Sequence, residues 1–225
     1  MNKYFLYILF YLIPTITEAQ VVNDARLWSS ITVNKKIEDL IRDDFATITS
    51  TLANRLGPES ISDVDSIVAN SYSEARTRWS AGTLPLDPKD HIWQFVTDNT
   101  SELFCHKILN HSYPSKSSEE GILNLEYPNE NEALTNKLIM LFSCSHPQNQ
   151  TDTNIALILK IMGGYSSSDI ARVISKNESA VIKSIEKAKE LIIEKKIPFA
   201  IPGKYVIRER ILNLLKLLTH MFDLG

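Results

Sequence analysis

Apolar residues recur along this chain at helical spacing, and nowhere with the alternation of a strand. From Ile37 they fall at Ile37, Leu40, Ile41, Phe45, Ile48, Leu52 and Leu56, a stripe with a period of about 3.6 residues. Gly57 and Pro58 end it. A second helix is predicted to start after Ser60 or Ser62 and to run to Trp79. Ser80 to Thr83 break it, and Pro85 and Pro88 frame a turn. A third helix, about Lys89 to Leu109, carries Ile92, Trp93, Val96, Leu103 and Phe104. Together these predict one compact helical domain over residues 36–109. Residues 110–132 read as a flexible linker: His111 to Gly121 are rich in breakers without periodicity, and Pro128 to Asn131 close the segment.

A second domain is predicted over residues 133–202. It opens with a helix near Ala133–Ser143 and another at Asn154–Met162, stopped by Gly163 and Gly164. Ser166, Ser167, Ser168 and Asp169 form an N-cap cluster for a short helix, Ile170–Ile174. A turn through Ser175, Lys176 and Asn177 leads to a longer helix, Glu178 to about Lys195. On it Val181, Ile185, Ala188 and Ile192 share one face, and Lys183, Lys187 and Lys189 lie away from it. A short helix, a tight turn and a longer helix with an apolar inner and a basic outer face is the helix-turn-helix pattern. The first helix braces on the DNA backbone, and the second lies in the major groove, where base edges can be read. The pattern has a plainer reading too. Many helical proteins contain a short and a long helix in sequence, and lysines four residues apart ordinarily form a solvated face. Glu186 and Glu190 also dilute the positive field. The expected class is all-α, with two small helical domains joined by a flexible linker.

Composition agrees with that class: Gly is scarce at 7 of 225 residues. The formal charge of −3 names no partner, but its distribution is uneven. Lys35 to Lys107 hold 8 Lys/Arg against 12 Asp/Glu, and Ile155 to Arg210 hold 11 against 6. A basic second half suits a DNA-facing module, because phosphate contacts supply most non-specific affinity. A randomly uneven surface is the alternative. Cys105 and Cys144 have no metal-type spacing. Cys144, Ser145 and His146 read as a polar patch at a helix end in preference to a metal pair.

The first twenty residues stand apart. Lys3, the apolar run Tyr4–Ile13 and the small residue Ala19 at a potential cut resemble a secretory signal, and the run is too short for a membrane span. Everything downstream reads as intracellular. Either the start codon was taken too early, with the true start near Val21 or Val22, or a signal precedes a repurposed domain. The expected location is cytoplasmic, with export the alternative if the leader is real.

The stretch Ala156 to Ser166, followed by Asp169, Ile170, Ala171 and Arg172, resembles region 4 of extracytoplasmic-function sigma factors of the sigma-70 family. The closest match is the subgroup with an extra C-terminal helical domain. Leu141 to Pro147 is similar to that subgroup's cysteine-cysteine-histidine-proline stretch before region 4. Ala188 and Lys189 match the end of the recognition helix, and Ile197 to Pro202 resemble the segment after it. The run Arg208–Leu224 resembles the opening of the extra domain, so residues 203–225 read as the start of a truncated extension. The resemblance spans residues 36 to 224, strongest after Leu138. It implies that the first domain is region 2, which docks on core RNA polymerase and melts the −10 element. Val68, Tyr72 and Trp79 fit its helix, and Trp93 and Lys107 join them as candidate polymerase or −10 contacts. The family's Gln-Glu pair falls on Ala69 and Asn70. Its Arg-Asn-Arg positions become Thr97, Asp98 and Asn99, and its arginine-rich end becomes Leu103 to Lys107. Each missing Arg removes a charge-assisted phosphate interaction. Trp79 and Trp93 could stack on flipped bases, although core packing is the plainer role.

Glycine-rich phosphate loops, metal-ligand clusters and nucleophile elbows are absent from the sequence, and the five histidines are scattered. No catalysis, cofactor, metal or small-molecule substrate is expected. The resemblance implies a transcription initiation factor whose partners are core RNA polymerase, promoter DNA and a regulatory protein such as an anti-sigma factor. By carry-over of position, Ser166, Ser167, Ser168, Asp169, Asn177, Ser179, Lys183, Ser184 and Lys187 are the DNA-facing residues. The second reading is a degenerate sigma-like interaction module that no longer initiates transcription.

Overall fold

The structure is a computed structural model. It describes the backbone of residues 18–82, 84–109 and 125–224, and the side chains of residues 30–82, 84–105 and 125–224. The described residues are all-α. In chain order the helices are α1 (Glu18–Leu56), α2 (Ile61–Ala81), α3 (Pro88–Leu109), α4 (Glu130–Cys144), α5 (Thr151–Ile161), α6 (Ser167–Val173), α7 (Glu178–Glu194) and α8 (Ile207–Leu224), with a 3-10 turn at Pro58–Ser60.

The predicted stripe is the buried face of α1: Ile37, Ile48 and Leu52 have no exposure, and Leu40, Phe45 and Leu56 very little. The helix extends further toward the N-terminus than that stripe, because no Gly or Pro lies between Thr15 and Gly57 to stop it. Gly57 then takes φ +85, a left-handed turn that lets the chain reverse into the 3-10 turn and α2. Residues 1–17, which carry most of the signal-like leader, lie outside the described residues, and Glu18 to Gln20 begin α1. Among the described residues no helix is long and apolar enough to cross a membrane.

The predicted linker changes character. Residues 110–124 lie outside the described residues. Residues 125–129 are docked on the first half of the chain. Trp93 Nε1 donates to the Leu125 carbonyl at 3.1 Å, and Tyr127 hydroxyl donates to Asp44 Oδ1 at 2.9 Å. The Tyr127 ring meets the Trp93 ring edge-on, and Lys89 Nζ lies 4.4 Å from its centroid while pairing with Asp44 at 3.0 Å. Residues 130–132 are already helix. Asn129 caps α4 by accepting from the Glu132 amide while Glu132 accepts from the Asn129 amide, a reciprocal capping box that starts the helix before Ala133.

Most of the buried apolar residues form one cluster running from Val33 on α1 to Leu217 on α8, so the two halves share a core. Their meeting between α1 and α4 is partly polar. Asn54 Nδ2 donates to Asn136 Oδ1 at 2.8 Å, and Asn136 Nδ2 donates to Thr51 Oγ1 at 3.1 Å. Thr47, Thr49, Ser50 and Thr51 of α1 are all buried. Short hydroxyl side chains allow close helix approach, but in a sequence they read as surface.

Candidate nucleic-acid interface

Helices α5, α6 and α7 cover the segment expected to be a helix-turn-helix, with a short helix, a turn and a longer helix in sequence. Ser166 caps α6: its Oγ accepts from the Asp169 amide at 3.1 Å and donates to Asp169 Oδ2 at 2.6 Å. Asp169 also pairs with Arg172. The Ser166 hydrogen bond, with the Arg172 charge adding to it, holds the Asp169 carboxyl below its ordinary value. The turn passes through Ser175 at φ 53, and Asn177 caps α7 by accepting from the Ser179 amide at 2.9 Å and the Ser179 hydroxyl at 2.6 Å. Inside the unit, Val181, Ile185, Ala188 and Ile192 of α7 are buried, as are Ile170 and Ala171 of α6 and Ile155 to Ile158 of α5.

The candidate DNA-facing residues divide into two groups. Ser166, Ser168, Asn177, Ser179, Lys183 and Lys187 are exposed. Ser167, Asp169 and Ser184 are half-buried, and the Ser184 hydroxyl is turned back onto the Val181 carbonyl at 2.9 Å. Lys189 departs from expectation. It is 4% exposed, with Nζ 2.8 Å from Asp65 Oδ2 on α2 and 3.5 Å from Glu186. Its position is set by the packing of α7 on the first half of the chain, which supplies the half-buried Asp65 carboxylate. The exposed face of α7 therefore sets Lys183 and Lys187 beside Glu186 and Glu190, without a third lysine.

Four of the five candidate polymerase and −10 contacts are core residues. Val68 has no exposure, Trp79 has 2%, Tyr72 has 5% and Trp93 has 8%. Trp79 Nε1 donates to His91 Nδ1 at 3.1 Å, and the Tyr72 hydroxyl donates to the Leu40 carbonyl at 3.3 Å. Neither indole presents a free ring face to a flipped base. The Lys107 side chain lies outside the described residues.

Sequence reasoning missed a groove of about 720 Å3 between α1, α2 and the α5–α6 turn. Arg42, Arg76 and Lys160 line it together with Glu38, Asp65 and Tyr165. No sequence signal brings residues 38–76 beside residues 160–169. Gly164 sits at its edge with φ +67, and a Cβ there would come within 3.0 Å of the Phe45 ring.

At the end of α4, burial pushes the Cys144 thiol up to about 12, while Cys105 is exposed. The thiolate is the reactive form, so one equivalent of a thiol reagent should react promptly with the native chain. The second should react only on unfolding, which a stopped-flow titration with and without denaturant checks. Burial, with the Arg210 charge adding to it, lowers the His146 pKa. Among the described residues no three His, Cys, Asp or Glu are gathered as a metal site.

Comparison with known proteins adds one partial likeness. The chain is 33% identical over 88 residues to an uncharacterised protein of Rhizobium meliloti (strain 1021). The match takes in 39% of this chain and 21% of that protein, so the chain spans about a fifth of the relative's length. No family model and no solved structure matches the chain.

Proposed function

We propose that this chain is a sigma-70-type transcription factor that associates with core RNA polymerase and reads promoter DNA through α7. The observation that carries the reading is the α5–α6–α7 unit itself. It combines a seven-residue helix, a four-residue turn and a seventeen-residue helix, capped at both starts, with Ser179, Lys183 and Lys187 exposed along the outer face. Phosphate neutralisation by Lys183 and Lys187 would supply affinity, and the N-terminal turns of α7 would meet base edges. An anti-sigma factor or similar regulator is the expected third partner.

Binding to a duplex carrying the promoter should weaken steeply with salt. Lys183→Ala with Lys187→Ala should lower the slope of log K against log salt by about 2, one for each phosphate no longer neutralised. Fluorescence anisotropy across a salt series measures it, and an unchanged slope would remove α7 from the DNA.

A second reading is favoured by a specific observation, the burial of Trp79 and Trp93. It holds the chain to be a sigma-like interaction module without initiation activity. Retention of core polymerase without promoter-dependent run-off transcription would select it.

A further inference from the structure

Helix α8 carries two apolar stripes, and the protein covers one of them. Leu214 and Leu217 are buried, and Met221 and Leu224 pack against the core cluster. Arg210 donates to the Phe142 carbonyl and ties that side of the helix to α4. The second stripe is Ile211, Leu215, Leu218 and Phe222, spaced four, three and four residues apart as in the seam of a helix pair. Their exposures are 41%, 55%, 38% and 86%, and Leu212 beside them is 52% exposed. A contiguous apolar patch of this kind on a protein surface marks a contact. From those exposures each copy offers on the order of 500 Å2 of apolar surface, so two such faces cover about 1,000 Å2, where specific interfaces begin.

The charges at the two ends of the stripe fit a second copy of the chain. Arg208 lies seven residues before Leu215 on the same face, and Asp223 follows Phe222. Both are exposed, and neither has an ion-pair partner among the described residues. In an antiparallel pair about a two-fold axis, Ile211 meets Phe222 of the partner subunit, and Leu215 meets Leu218 of the partner subunit. Arg208 then reaches Asp223 of the partner subunit, at both ends. A parallel pair would set Arg208 against Arg208 and Asp223 against Asp223. A lipid surface fits less well. The polar edge of α8 mixes Glu209 and Asp223 with Lys216, in place of the Lys- and Arg-rich border of a membrane-surface helix.

We propose that α8 is a dimerisation helix. Two copies of this chain pair antiparallel along Ile211, Leu215, Leu218 and Phe222, with Arg208 and Asp223 closing each end.

Sedimentation equilibrium of the full chain between about 1 and about 200 µM tests the pairing. The mass should rise from one 25.5 kDa chain to two, with a Kd on the order of 10 µM for an interface at the small end of its range. Leu215→Glu with Phe222→Glu, both at exposed positions, should leave a monomer at the highest concentration. The melting temperature of that variant should match the parent chain at the lowest concentration, where both are monomers. Arg208→Asp and Asp223→Arg should each weaken the dimer about tenfold, and the two together should restore it, because each contact is reversed and rebuilt. A chain that stays monomeric throughout, whether or not it binds phospholipid vesicles, would overturn the proposal. So would a dimer that survives the paired glutamates, which would place the interface elsewhere, or charge reversals that do not rescue one another.

Discussion

Trp79→Ala should destabilise the chain by about 3–5 kcal/mol, the range for emptying a buried large aromatic site. Trp79 is 2% exposed, and its ring lies nearly parallel to His91, with centroids 6.0 Å apart and an interplanar angle of 14°. His91 continues the aromatic stack to Phe95 at 4.6 Å, and Arg78 lies over the Phe95 ring at 5.1 Å. The substitution removes the indole volume and also leaves His91 Nδ1 without its donor. Urea denaturation followed by circular dichroism measures the effect. A cost below about 1 kcal/mol would mean that the indole is not a core anchor, and would return Trp79 to the candidates for base stacking. Trp79→Phe, which keeps a ring in the site, should lose much less.

The second large effect lies where α7 meets the first half of the chain. Asp65→Ala should cost about 3 kcal/mol, the lower end for breaking a buried ion pair, because the carboxylate retains some solvent exposure. Two lysines converge on this group: Lys189 Nζ at 2.8 Å from one oxygen and Lys160 Nζ at 3.8 Å from the other. Without Asp65, the Lys189 ammonium stays buried with only Glu186 at 3.5 Å. Replacing both partners, Asp65→Asn with Lys189→Met, should recover most of the stability, since the dominant cost is an uncompensated buried charge. Urea midpoints for the two single variants and the double variant give the coupling. Near-additive effects would show that the pair is open to water in solution.

Much of the fold is legible from residue spacing. The α1 stripe, the ends of α2 and α3, the Gly163–Gly164 stop, the Ser166 cap and the buried face of α7 all follow from local rules. Amphipathic period, breakers and caps act within a few residues of themselves. The linker departs from its expected character at Leu125 and Tyr127, because a short aperiodic segment gives no sign of the surface on which it docks. The DNA-facing candidates are legible only as positions. Ser184 lies among them by register, yet its hydroxyl is turned back to the helix backbone.

Lys189 shows most clearly where local reading stops. By sequence it is a third lysine beside Lys183 and Lys187, and its burial comes from Asp65, 124 residues away. Gly164 is similar: its left-handed turn ends a helix, while the ring that fills its missing side-chain space belongs to Phe45 on α1. Helicity, the starts and stops of the helices and the apolar stripe of each are written into the order of the residues, because they are short-range consequences of propensity and capping. Three-dimensional packing was needed to establish that the two halves share a core, which polar groups are buried between them, and which lysines remain to face a partner. Pairing of distant surfaces depends on shape and charge matching that no single helix encodes.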